Sequence, residues 1–257
     1  MGQFLNGITP FQSGGQPFQV YLLRKDGLRI SESSNAMIKD FISFQITLIL
    51  MGLVAILANH KFGLIPENTY TTFLIIIGFT INVVVLMFLF IITMAKDTSL
   101  KIINKLLDFT LRFKFVKKLK ISKHKIMLGL EHFYEGGSEL KKDKKNLFIS
   151  ILSNVINLVL LYSIPFIIFK SLGSDSVTIL SSIVVTSFVM LIGNFIPIPG
   201  ATGGIEYGFI RFFSGFSLSS SVLSSAMLLW RFVTYFLGML IGFITLVLKE
   251  GVDKKCE

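Results

Sequence analysis

Five long runs without a charged residue constrain this chain more than any other feature: Phe41–Ala58, Thr71–Ala95, Leu147–Phe169, Val177–Ile196 and Phe232–Leu248. A bilayer core is crossed by about 20 apolar residues in a helix, at about 1.5 Å per residue. Runs of this length predict membrane spans, and the composition agrees, because only 16% of the 257 residues are charged. Soluble domains carry about a quarter. The last run is short unless it extends back through Ala226–Trp230, which would place Arg231 inside it. Ile205–Ser225 is apolar but interrupted by Glu206, Arg211 and a serine tract, and reads as a discontinuous or re-entrant element.

The net charge of +10 lies mostly in one place. Between Lys96 and Asn146 there are 14 Lys and Arg against 6 Asp and Glu, a surplus of 8. The positive-inside rule makes this loop cytoplasmic and the short connectors near residues 59–70 and 170–176 external. Leu100–Val116 has an amphipathic pattern suited to an anionic membrane surface. A basic balance in so apolar a chain points to lipid headgroups, and no direct nucleic-acid binding is expected.

Self-comparison reveals a repeat. Pro10-x-x-x-Gly14-Gly15 recurs as Pro199-x-x-x-Gly203-Gly204, preceded by Asn6 and Asn194. Each copy is followed by an arginine (Arg24, Arg211), a serine-rich stretch and an Ala-Met pair, with a glycine (Gly52, Gly242) sixteen residues after the alanine. Proline removes a backbone donor and paired glycines admit conformations closed to other residues, so neither segment continues a helix. Irregular backbone at membrane depth persists only when buried in protein or lining a wet cavity. Paired breaks in two halves of a membrane chain point to a transporter's binding site. Helix N-termini after each Gly-Gly are expected to aim N–H groups at an anion. Parallel and inverted arrangements of the halves both remain open. If 197–225 makes a net crossing, the tail returns to the inner side and the halves are inverted.

The predicted fold is an all-α polytopic helical membrane protein with two Pro/Gly-broken pseudo-repeats and about five to seven inserted segments. Its expected parts are a first repeat at 1–58, a span at 71–95 and a basic loop at 96–146. Spans at 147–169 and 177–196, a second repeat at 194–248 and a tail at 249–257 follow.

Enzymatic signatures are weak. His60, His124 and His132 form no paired ligand set, Cys256 stands alone, and no phosphate-binding loop for ATP occurs. No cofactor or metal is expected. Glu206, Arg211 and Arg231 lie in or beside apolar stretches, where each ion costs about 2.5–3.5 kcal/mol. Either Glu206 pairs with Arg231 or Arg211 to fasten helices, or the arginines hold a lipid phosphate while Glu206 reads a cationic headgroup. Asn154 and Asn157 are candidates for bonds between helices.

The segments ITPFQSGGQP (8–17) with YLLRKDG (21–27), and IPIPGATGGIE (196–206) with LLWRFVTYFLGMLIG (228–242), resemble motifs of the lysylphosphatidylglycerol synthase transmembrane region, a flippase-like family. The resemblance covers nearly the whole chain. It implies a bacterial inner-membrane protein that moves an aminoacylated or anionic phospholipid between leaflets and so contributes to resistance against cationic antimicrobial peptides. It implies lipid-handling roles for Asn6, Thr9, Pro10, Gly14, Gly15, Gln16 and Arg24. In the second motif the roles fall to Pro197, Pro199, Gly203, Gly204, Glu206 and Arg231, with Arg211 added from its intramembrane charge. Relatives carry helices ahead of the first motif, so a chain shortened at its N-terminus is expected. Only nine residues follow Leu248, which leaves lysyl transfer to phosphatidylglycerol as an alternative function that needs a separately encoded catalytic domain. A non-transporting membrane scaffold is a further alternative, and a homo-oligomer is compatible with each reading.

Overall fold

The computed structural model describes residues 1–10, 14–65, 68–94, 144–194 and 196–253, and among them there is no strand. The expected amphipathic helix at 100–116, His124, His132 and Cys256 lie outside the described residues. The helices are α1 (Gly2–Ile8), α2 (Gly15–Lys25), α3 (Ile30–Phe62), α4 (Thr69–Met94) and α5 (Lys144–Ser171). They continue with α6 (Ile179–Gly193), α7 (Gly204–Phe213), α8 (Ser220–Arg231) and α9 (Leu237–Asp253), with a π turn at Phe232–Phe236 joining the last two. Four described segments are long and apolar enough to cross a membrane: Glu32–Phe62, Thr69–Ile91, Lys144–Ser171 and Ser220–Leu248. The last span does extend back through Arg231.

Local chemistry explains the ends. The Arg29 N–H donates to Glu32 Oε2 at 3.0 Å and starts α3. Gly63, at φ 57°, ends it with its N–H on the Asn59 carbonyl at 2.8 Å. Pro165 sits inside α5 and removes one backbone donor. Beside it the Ser182 hydroxyl of α6 donates to the Tyr162 carbonyl at 2.8 Å and accepts from the Phe166 N–H at 3.1 Å. A serine from a neighbouring helix thus completes the interrupted ladder.

The expected span at 177–196 is corrected. Its helix, α6, has 15 residues, about 22 Å against a bilayer core of about 30 Å. It is a core helix, with Val184, Val185, Phe188, Val189 and Leu191 all buried. Its partner α7 turns back along it: a side chain at Gly193 would meet Ile205, one at Gly208 would meet Val189, and Phe188 packs on Phe212. Thus α6 and α7 form a hairpin whose tip, 194–203, buries Gly200 and Ala201 and leaves Pro197, Ile198 and Pro199 exposed. The first motif builds a second hairpin, with Gly2 against Gln19 of α2 and Asn6 against Gly15.

Directions follow from contacts. Asn154 Nδ2 of α5 donates to Ser43 Oγ of α3 at 3.2 Å, and Leu48 and Met51 cluster with Leu158 and Tyr162 further along both, so these helices run parallel, while Asn157 is exposed. Gln45 of α3 bonds Asn82 of α4, and Asn59 and His60 further along α3 share a groove with Thr71 and Thr72 near the start of α4, so α4 runs antiparallel. Phe213 packs on Phe169, at the end of the bundle remote from Met94 and Lys144. From that remote end α8 and α9 return to the side carrying Met94 and Lys144, here termed the loop side. The α6–α7 hairpin therefore enters from the remote side and α1–α2 from the loop side. The long helix after each hairpin runs in opposite directions, so the repeats are inverted.

The repeated glycines seat the hairpins reciprocally. Gly52 of α3 lies against Leu191 of α6, the first arm of the second hairpin. Gly242 of α9 lies against Phe4 of α1, the first arm of the first hairpin, and Gly238 against Gln3. The Gly238-x-x-x-Gly242 spacing lets the backbones approach closely. Each repeat thus holds the hairpin of the other.

Candidate functional site

In the first motif the side chains bind their own backbone. Thr9 Oγ1 donates to the Leu5 carbonyl at 2.7 Å and accepts from the Gly14 N–H at 2.8 Å, while Asn6 Oδ1 accepts from the Gly15 N–H at 2.7 Å. Gly14 and Gly15 are required because a side chain at either would overlap Thr9 or Asn6. In the second motif Gly200 and Gly203 have φ of 64° and 91°, backbone that L side chains rarely adopt. The Gly203 N–H donates to Glu206 Oε2 at 2.7 Å. The N–H groups of Gly14, Gly15 and Gly203, at the start of each helix, are therefore taken by side chains of their own motifs.

Arg231 organises the centre. Its Nε donates to Glu206 Oε1 at 2.6 Å, its Nη2 to the Gly200 carbonyl at 2.9 Å, and its guanidinium lies 4.5 Å from the centre of the Tyr235 ring. The Arg231 side chain is 6% exposed and that of Glu206 21%. The Tyr235 hydroxyl, next to Gly200, donates to the Gly7 carbonyl of α1 at 2.9 Å. One chain of contacts thus runs from the second tip through Arg231 and Tyr235 to the first hairpin. The π turn sets the phase at which Tyr235 faces Gly7, and such turns recur at functional sites.

The other expected residues are placed apart from this centre. Arg24 is exposed in the last turn of α2, where a cation complements the helix dipole. Arg211 is half-buried in the last turn of α7, at the remote end, beside Tyr70 and Tyr207. Arg211 and Arg231 therefore lie at opposite ends of α7, whose first turn carries Glu206. Pro197 and Pro199 are exposed on the second tip, Pro199 opening a 3-10 turn, and Pro10 is exposed on the first. Gly204 lies against Ile196 with no room for a side chain.

The structure also assembles a cavity of about 270 Å³ that the sequence reading had not composed. Asn6, Gln16 and Gln19 of the first hairpin, Asp40 and Gln45 of α3 and Asn194 of the second tip supply its polar wall. Phe41, Phe44, Met37 and Val85 supply the apolar wall, and among the described residues no lysine or arginine lines it. Asn6 and Asn194 are equivalent in the repeat and meet in one cavity. The offset of 190 that relates Gly52 to Gly242 also relates Phe41 to Arg231. Phe41, the counterpart of Arg231 at that offset, lines the cavity next to Asp40. Chemically, one carboxylate and five amides offer acceptors to ammonium and hydroxyl groups.

Gln19, Asp40, Gln45 and Tyr235 were missed. The only prior signals were the four-residue spacing of Arg231 and Tyr235 and the alignment of Asn194 with Asn6. Among the described residues no group of three or more His, Cys, Asp or Glu is arranged to hold a metal.

Comparison with known proteins agrees with the motifs. A UPF0104 membrane protein of Methanocaldococcus jannaschii is 25% identical over an alignment covering 99% of this chain and 74% of that protein. No solved structure matches. The sequence model described as the lysylphosphatidylglycerol synthase TM region matches residues 1–242, including both hairpins and the spans between them. The chain belongs to the lysylphosphatidylglycerol synthase TM region family.

Proposed function

We propose that this protein moves a phospholipid between leaflets without ATP, the headgroup passing through the polar cavity while the acyl chains stay in the bilayer. The observation that carries the reading is the convergence of Asn6 and Asn194, one from each inverted hairpin, on a single cavity beside long apolar helices. Discontinuous elements meeting inside a membrane bundle are the usual setting of a transport site. The acceptor-rich wall, with no lysine or arginine among the described residues, suits an ammonium-bearing, hydroxylated headgroup such as that of lysyl-phosphatidylglycerol. Presenting that lipid on the outer surface of an inner membrane would reduce attraction for cationic antimicrobial peptides. With the basic segment 96–146 cytoplasmic, the cavity would load from the inner leaflet.

The Glu206–Arg231 pair supports the second tip and joins it to the first hairpin through Tyr235. In this reading it acts as a positioning pair, and Asp40 with the amides contacts the headgroup.

The test is reconstitution in vesicles carrying lysyl-phosphatidylglycerol in one leaflet, read with an impermeant amine-reactive probe. Protein-dependent movement is expected, and Asp40→Asn is expected to slow it by about tenfold, the loss of one charge-assisted contact. Movement no faster than in protein-free vesicles would overturn the reading. A second reading, the membrane partner of a separate lysyl-transfer domain, is favoured by the family's description as the membrane region of a synthase. It predicts co-purification with a lysyl-transferring activity and an unchanged leaflet distribution.

A further inference from the structure

The polar cavity on the loop side has a counterpart at the remote end of the same three helices. There a groove of about 830 Å³ is walled by α3 (Asn59, His60), α4 (Thr71, Thr72, Ile75) and α6 (Phe188). The loop-side cavity touches α3 at Gln45, α4 at Val85 and the end of α6 at Asn194. Between the two, the three helices close on one side chain. Leu191 of α6, 1% exposed, lies against Gly52 of α3, and its backbone lies against Gly78 of α4. A side chain at Gly78 would come within 3.2 Å of the Leu191 carbonyl carbon and oxygen.

Asn82 fastens this closure. Its Nδ2 donates to the Gly78 carbonyl at 2.7 Å and to the Leu191 carbonyl at 3.1 Å. Its Oδ1 and its carbonyl accept from Gln45 Nε2 at 2.9 and 3.1 Å. The Leu191 carbonyl lies near the C-terminal end of α6, where carbonyls lack an intrahelical partner. One asparagine therefore joins all three helices, at 0% exposure. Outside this seat α4 packs Ile75 and Phe79 against the core and buries 17% of its apolar window, against 44% for α3. Gly78 and Asn82 are the points at which α4 closes on Leu191 between the two cavities, so movement there would join them while Ile75 and Phe79 keep their place on the core.

We propose that α4 is the gate of the lipid path, latched on α6 and α3 by Gly78 and Asn82 around Leu191, and that its release joins the two cavities. The gate rests on the translocation reading above and adds the place where the path opens. In the latched state, α3, α4 and α6 separate the cavities, and a headgroup crosses only when α4 moves. Asn82 is suited to a reversible latch because hydrogen bonds between helices in a bilayer are weak individually and find alternative partners.

Two measurements test it, both in a Cys256→Ser background. In the first, Gly78→Cys with Leu191→Cys is oxidised to a disulfide and lipid movement is followed in vesicles. Movement is expected to fall to the protein-free rate and to return on reduction; full movement by the cross-linked protein overturns the gate. Parent protein that moves no lipid overturns the translocation reading, and the gate with it. The second measurement needs no transport: Leu191→Cys is labelled with a water-soluble maleimide alongside Thr186→Cys, a position on α6 that is equally buried and lines neither cavity. Labelling of Leu191→Cys at least about tenfold faster is expected if the contact opens, and faster still after Asn82→Leu. Equal rates at both positions, unaltered by Asn82→Leu, show a static contact and overturn the gate whatever lipid movement is found.

Discussion

Arg231 combines three kinds of contact, an ion pair, a carbonyl hydrogen bond and a cation–π stack, and each reaches a different segment. Glu206→Gln keeps an acceptor for the Gly203 N–H but removes the counter-charge of a buried guanidinium. Breaking a buried pair costs about 3–5 kcal/mol, and the residual exposure of Glu206 puts the expectation near the lower end. Thermal unfolding followed by the fluorescence of Trp230, the lone tryptophan, buried and stacked on Phe209, measures this locally. Replacing both partners with Met is expected to be milder than Glu206→Gln alone, because no uncompensated charge remains. Tyr235→Phe keeps the ring over Arg231 but removes the bond to Gly7. A loss of about 1 kcal/mol is expected, together with slower lipid movement if the hairpins act as one unit. At this scale the sequence exposed the unusual charges and offered Arg211 and Arg231 as alternative partners of Glu206, between which the structure chose Arg231. Glu206 and Arg231 stood out as charges in apolar surroundings, whereas Tyr235 and Gln45 looked like ordinary helix residues.

The elements divide into helices that cross and hairpins that do not. Length in the sequence identified α3, α4, α5 and the α8–α9 span, since matching the bilayer is a property of each segment alone. It failed for α6, whose apolar residues match the protein interior, an environment of the same polarity as lipid. Burial on all sides, not hydropathy, separates the two cases. The repair of α5 at Pro165 is a second feature that required the neighbour to be seen. Ser182→Ala leaves the Tyr162 carbonyl and Phe166 N–H without their inter-helix partner, and a loss of about 2 kcal/mol is expected in unfolding measurements. Ser182→Thr keeps the hydroxyl and is expected to retain more of the stability than Ala.

Across the whole molecule, two inverted repeats exchange hairpins, Gly52 receiving the arm of the second and Gly242 the arm of the first. This arrangement returns α9 to the side carrying Met94 and Lys144. Reporter fusions placed after Asp253 and within 96–143 are therefore expected on the same side of the membrane, and opposite locations would contradict the inverted topology. The chain's own chemistry determined that it enters a membrane, where four of its long spans lie and where its helices break. Charge, apolar length, proline and glycine act locally, and each segment responds to them without reference to the rest. Tertiary structure alone decided that Asn6 and Asn194 share a cavity, that Glu206 and Gly200 occupy Arg231, and that Leu191 closes against Gly52 and Gly78. These residues lie far apart along the chain, and their meeting depends on which faces pack once the helices are side by side. In an apolar solvent that choice is made by close approach at glycines and by a few buried hydrogen bonds, terms that hydropathy does not contain.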